Sequence, residues 1–223
     1  MDIESRVNKL INEGYKFELE QYISTGFYLF KKEYGLFIGF SIVAGLISLA
    51  ASMIPLAGYF LQTVIAGVVN MGYFYVARKI KHGEKPEFGD FFKSFNVFGN
   101  IAGVALVVFI LTIIGVFCLI LPGIYLGVAW LFAVPIIFFY PKIGLWDSME
   151  ASRRIITKNW WQFLLLGICV VFINIAGALC LLIGLLVTIP ASHLIMYAAF
   201  DDILKPDEDV NNNEDLLLNE LNE

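Results

Sequence analysis

The chain has 223 residues, 59% hydrophobic and 16% charged, with a formal charge of -5. Soluble domains are roughly half apolar and about 25% charged, so this composition excludes an ordinary water-soluble domain. Its fifteen Lys and Arg are scattered over short segments, which excludes the single basic face that nucleic-acid binding needs.

Those basic residues all lie outside three charge-free blocks, Gly35–Ala77, Ser94–Pro141 and Asn159–Phe200, of 42 to 48 residues each. One helical crossing of a ~30 Å hydrocarbon core takes about 20 apolar residues. Each block therefore holds two crossings and a tight turn. The runs are continuously apolar, not alternating, which excludes a barrel. The expected fold is an all-α membrane protein, six transmembrane helices arranged as three helical hairpins, each preceded by an amphipathic interfacial helix.

In chain order, residues 1–33 read as a cytoplasmic amphipathic segment, with Ile3, Val7, Leu10, Ile11 and Phe17 as its apolar stripe. The opening is acidic and polar, so insertion is expected to start at the first span without a cleavable leader. The six-span domain covers 34–204, with spans near 35–54, 58–77, 97–120, 123–141, 160–181 and 184–203. Turns are expected at Pro55–Gly58, at Leu121-Pro122-Gly123 and near Gly184. An aromatic residue after a Lys-containing segment opens each hairpin, at intervals of 63 or 64 residues, which reads as an internal repeat.

Between the hairpins, Phe88, Phe91, Phe92 and Phe95 recur at i, i+3, i+4 and i+7, opposite Asp90 and Lys93. Over 145–160 the expected apolar face is Leu145, Met149, Ile156 and Trp160, with Glu150 and Arg154 paired at i, i+4 on the other side. Trp146, Trp160 and Trp161 join the four phenylalanines as interfacial anchors. Residues 205–223 hold seven acids and one base and read as an acidic disordered cytoplasmic tail. The bases in 1–34, 78–93 and 142–158 place those segments and both termini in the cytoplasm.

Inside the apolar blocks the strong polar groups are Gln62, Asn70, Asn100, Asn174 and His193. Each reads as a helix–helix hydrogen-bonding group, worth about 0.6 to 2 kcal/mol. Asp201-Asp202 reads as a helix-end charge pair. Cys118, Cys169 and Cys180 read as small hydrophobes. No catalytic, cofactor or metal site is expected, since the two histidines, His82 and His193, are far apart in the sequence and lie on opposite sides of the hydrophobic boundary. Three Gly-xxx-Gly pairs, at Gly35/Gly39, Gly99/Gly103 and Gly123/Gly127, offer close helix approach. Pro135 and Pro190 are candidate kinks.

The segment Ala77-Arg78-Lys79-Ile80-Lys81-His82-Gly83-Glu84-Lys85-Pro86-Glu87-Phe88-Gly89-Asp90-Phe91-Phe92, with Leu121-Pro122-Gly123-Ile124-Tyr125, Trp146–Arg154 and Asn159-Trp160-Trp161, resembles a known group. It is similar to six-span bacterial membrane proteins of uncharacterised activity related to the membrane domain of glycerophosphoryl diester phosphodiesterases. Arg153-Arg154 departs from the family's usual pattern. The resemblance implies an inner-membrane bundle from about Tyr34 to Leu204 without the phosphodiesterase domain. The function expected is non-enzymatic, structural or accessory, in membrane or lipid homeostasis, with membrane lipids and a second copy or a membrane protein as partners. A small-solute transporter or channel would require Asn70, Asn100, Asn174 and His193 to converge. A lipid-binding module would require a lateral opening beside the aromatic interfacial helices.

Overall fold

A computed structural model of the chain describes residues 3–54, 57–118, 120–180 and 183–205. Pro55 and Leu56 of the first expected turn, and the tail beyond Lys205, lie outside the described residues. Among the described residues the regular elements are helices, the form in which a lipid-facing backbone pairs its own N–H and C=O groups. α1 (Ile3–Glu13) stops at Gly14, whose φ of +75° suits glycine. α2 (Leu19–Lys32) leads into α3 (Tyr34–Ser52) and α4 (Ala57–Lys81). A 3-10 helix, Phe88–Val97, runs directly into α5 (Phe98–Cys118). Then come α6 (Ile120–Ala129), α7 (Ala133–Phe139), α8 (Leu145–Lys158), α9 (Trp160–Leu179) and α10 (Leu185–Leu204).

Five segments are long and apolar enough to cross a bilayer: Tyr34–Ser52, Gly58–Lys81, Phe88–Cys118, Ile120–Phe139 and Trp160–Leu179. Only 17% of the apolar window in α9 is buried, and Val171, Phe172, Ile175 and Leu179 stand exposed along it. In water such a face would drive aggregation; in a bilayer, acyl chains cover it. The chain is a multi-pass membrane protein.

The expected sixth span, α10, is not among these five. Pro190, Ser192, His193, Asp201 and Asp202 lower its mean hydropathy. Eleven of its twenty residues are buried, and it packs on α2, α9, α4 and α3. A helix enclosed by protein needs less hydrocarbon character than one bathed in lipid. Its contact with α2 is made backbone to backbone: a Cβ on Gly26 would lie 2.7 Å from the Ile195 nitrogen.

The aromatic segment before α5 departs from the expected α-helical face because its pitch is three residues per turn, which aligns i with i+3. Phe91 and Ser94 face inward, while Phe88, which starts the same row, stays exposed. Phe91 and Ser94 are fully buried, and the Phe91 ring stacks 4.1 Å from Phe40. Phe92, Phe95 and Phe98 form the second row, a ladder of stacked rings 6.1 and 6.4 Å apart. Asp90, expected to point to solvent, is buried. Its Oδ2 accepts from the Glu87 N–H at 2.7 Å and from Lys79 Nζ at 3.0 Å, so it caps the 3-10 helix and ties it to α4.

The expected turn at Leu121-Pro122-Gly123 lies inside α6 instead. Pro122 falls in the first turn of that helix, where its missing N–H costs nothing. Of the three Gly-xxx-Gly pairs, this one meets backbone: a Cβ on Gly123 would lie 2.6 Å from the Val116 nitrogen, whereas Gly103 meets only the Leu145 side chain and Gly35 and Gly99 face open space.

The apolar run 120–139 is broken between α6 and α7. Pro135 lies just past the break, where its ring disfavours a continuous helix, and at the break itself Ser152 of α8 pairs two other backbone groups. Its hydroxyl donates to the Ala129 carbonyl at 2.8 Å and accepts from the Phe132 N–H at 3.1 Å. The buried face of α8 is accordingly Ser148, Met149, Ala151, Ser152, Ile155 and Ile156, which keeps Met149 and Ile156 of the expected stripe while Leu145 and Trp160 are half-buried. The expected Glu150–Arg154 pair is not formed either. Arg153 makes two hydrogen bonds to Glu150, at 2.6 and 2.7 Å, and Arg154 donates to Asn8 Oδ1 at 2.8 Å.

Candidate functional site

The intramembrane polar groups fall into separate helix contacts. Asn70 on α4 and His193 on α10 meet, with His193 Nδ1 2.9 Å from Asn70 Oδ1. The imidazole stacks on Tyr73 at 4.7 Å. The Tyr73 hydroxyl lies 2.7 Å from Ser41 Oγ, and that serine donates to the Phe37 carbonyl at 2.7 Å. One polar strand thus links α3, α4 and α10 across an otherwise aromatic core.

Asn174 belongs to a different contact. It donates to Ser192 Oγ at 2.7 Å and to the Val170 carbonyl at 2.9 Å, and Ser192 donates on to the Thr188 carbonyl. Asn100 is exposed on α5, and Gln62 donates to the Ser48 carbonyl at 3.0 Å within the first hairpin. The structure therefore brings Asn70 and His193 together but does not gather Asn100 and Asn174 with them.

Among the aromatic anchors, Phe91 is buried and Phe92 half-buried, while Phe88 and Phe95 remain exposed. Trp146 and Trp161 are exposed, the latter by 76%. Trp160 is half-buried and donates from its indole nitrogen to the Tyr125 carbonyl at 3.4 Å.

The polar network that sequence reading missed lies at the charged end of the bundle. Asp201 and Asp202 are neighbours in the chain but serve different helices, because adjacent residues on a helix diverge. Lys81 of α4 lies 2.9 Å from each carboxylate oxygen of Asp201, which also accepts from Tyr197 at 3.2 Å. Asp202 accepts from the Tyr22 hydroxyl of α2 at 2.9 Å. Arg6 of α1, itself buried, donates to the carbonyls of Leu204 and Lys205. A cation there meets the unpaired carbonyls and the negative dipole end of α10. Tyr15 donates to the Ile155 carbonyl at 2.9 Å, which joins the N-terminal segment to α8.

Burial pushes the Tyr15 and Tyr22 hydroxyls above the ordinary phenol value, and the Asp202 carboxylate adds to the effect on Tyr22. Hydrogen bonding to Arg153 holds the Glu150 carboxyl below the usual range. Two clefts border α2, one at its N-terminal end and one along its length to Lys32. One, of about 470 Å³, is lined by residues including Arg6, Lys9 and Glu13. The other, of about 590 Å³, is lined by residues including Tyr28, Lys32 and Lys81. Asp202 and Lys205 border both. Among the described residues no group of three His, Cys, Asp or Glu is placed to hold a metal ion.

No protein-family model, curated protein or solved structure matches the chain.

Proposed function

We propose that the chain is a six-span protein of the bacterial inner membrane, with both termini cytoplasmic, acting as a non-enzymatic accessory component in membrane or lipid homeostasis. α10 is the sixth span in this reading, its charged end held at the cytoplasmic boundary with the other basic segments. The resemblance to the membrane domain of glycerophosphoryl diester phosphodiesterases points to the same setting, with an interfacial element ahead of each of three repeated hairpins.

One observation carries the choice of an accessory role over transport. Asn70 and His193, Asn174 and Ser192, and Gln62 and the Ser48 carbonyl are three separate interhelical contacts, and a solute path needs such groups along one route. Each instead supplies the hydrogen-bonded packing that stabilises membrane helices. Purified protein in vesicles loaded with proton- and cation-sensitive dyes tests this reading, alongside phospholipid profiling of cells lacking the protein. The expected results are vesicles as tight as empty ones and an altered lipid profile. Saturable flux that disappears in His193→Ala would overturn the accessory role in favour of transport.

A further inference from the structure

The larger cleft at the charged end, about 590 Å³, falls within the ~300–1,000 Å³ of small-molecule sites. Leu29 and Ala198, both buried, form its apolar floor, and exposed Lys32 and Lys205 stand at its rim. Lys32 closes α2, two positions before α3 begins, and Lys81 closes α4. The cleft therefore lies at the depth where apolar spans give way to charge, which is the depth of lipid headgroups.

Its charges are mixed. Lys81 and Asp201 offset each other through their 2.9 Å contacts. Lys32 lies 4.8 Å over the Tyr28 ring, and with Lys205 it presents positive charge. Asp202 faces them with a full negative charge, its Oδ2 partnered by the neutral Tyr22 hydroxyl. A purely anionic headgroup would set its phosphate against Asp202 without compensation, and a quaternary ammonium would have no N–H to give that carboxylate.

We propose that this cleft binds the headgroup of a zwitterionic aminophospholipid, its phosphate on Lys32 and Lys205, its ammonium on Asp202 and its glycerol region over Leu29 and Ala198. The proposal rests on the lipid-related reading above and gives it a ligand class.

Lipid titrations of the full-length protein in detergent, read by native mass spectrometry, test the site with phosphatidylethanolamine, phosphatidylglycerol, phosphatidylcholine and inorganic phosphate. Phosphatidylethanolamine should bind at least about fivefold more tightly than the other two lipids. Lys32→Gln and Lys205→Gln, both at exposed positions, should each weaken it at least about threefold without lowering thermal stability. Asp202→Asn should erase the preference over phosphatidylglycerol. Equal affinity for the three lipids, indifference to both lysine variants, or displacement of the lipid by millimolar inorganic phosphate would overturn the site. Any of these would leave the vesicle and lipid-profile results untouched, so the site and the accessory role fail independently.

Discussion

The backbone N–H of Phe132 donates to the Ser152 hydroxyl at 3.1 Å, and the same oxygen donates to the Ala129 carbonyl at 2.8 Å. One side chain thus satisfies both orphaned ends of a broken helix within the apolar layer, where an unpaired backbone group has no water to turn to. Ser152→Ala should cost about 2 kcal/mol, since it strands a buried donor and a buried acceptor. Ser148→Ala is the control, because the Ser148 hydroxyl donates to the Leu145 carbonyl in its own helix and its loss should cost under about 1 kcal/mol. Thermal unfolding in detergent separates the two, and equal losses would deny Ser152 its bridging role.

The two rows of the 3-10 helix make opposite predictions for chemically identical residues. Phe91 is fully buried and Phe95 is 51% exposed. Phe91→Ala should destabilise the protein by about 3 kcal/mol through the cavity it leaves beside Phe40, and Phe95→Ala by no more than about 0.5 kcal/mol. Comparable losses would restore the α-helical face in which the four rings act together.

Tyr22 links pH to stability through α2. Burial first, and then the Asp202 carboxylate, hold its hydroxyl above the ordinary value of 10.0. The folded protein therefore keeps a proton that the unfolded chain releases above that pH. This contribution is complete below the unfolded value and is lost as the pH rises from there through the folded value. Melting temperature in detergent should be flat to about pH 9 and fall more steeply above about pH 10. Tyr22→Phe should flatten part of that fall, leaving the part due to Tyr15, which burial shifts in the same direction. A fall of unchanged slope in Tyr22→Phe would remove Tyr22 from the account.

The orientation assigned to the bundle is open to labelling. With Cys118, Cys169 and Cys180 replaced, a single cysteine at Ala57 should react with an impermeant maleimide added outside the cell. One at Lys85 should react only after the inner face is exposed. The reverse pattern would invert the topology.

Where the chain meets lipid was decided by its sequence. Transfer of a side chain from water to hydrocarbon is a property of that residue, and it adds up along a run. The charge-free blocks therefore called for six spans without any knowledge of partners, of which five stand as long apolar segments, and the same blocks singled out Asn70 and His193 along with Gln62, Asn100 and Asn174. Contacts between distant residues were beyond that reading. Arg153 and Arg154 are adjacent and chemically alike, yet one binds Glu150 and the other Asn8. Asp201 and Asp202 likewise divide between α4 and α2. Ser152 looks like an ordinary polar residue until α8 lies against the break in the fourth apolar run, and the phenylalanine segment chooses its faces only through its 3-10 pitch. Hydrogen bonds and packing depend on distances of a few ångströms between segments up to 199 positions apart, and those distances exist only once the helices are assembled.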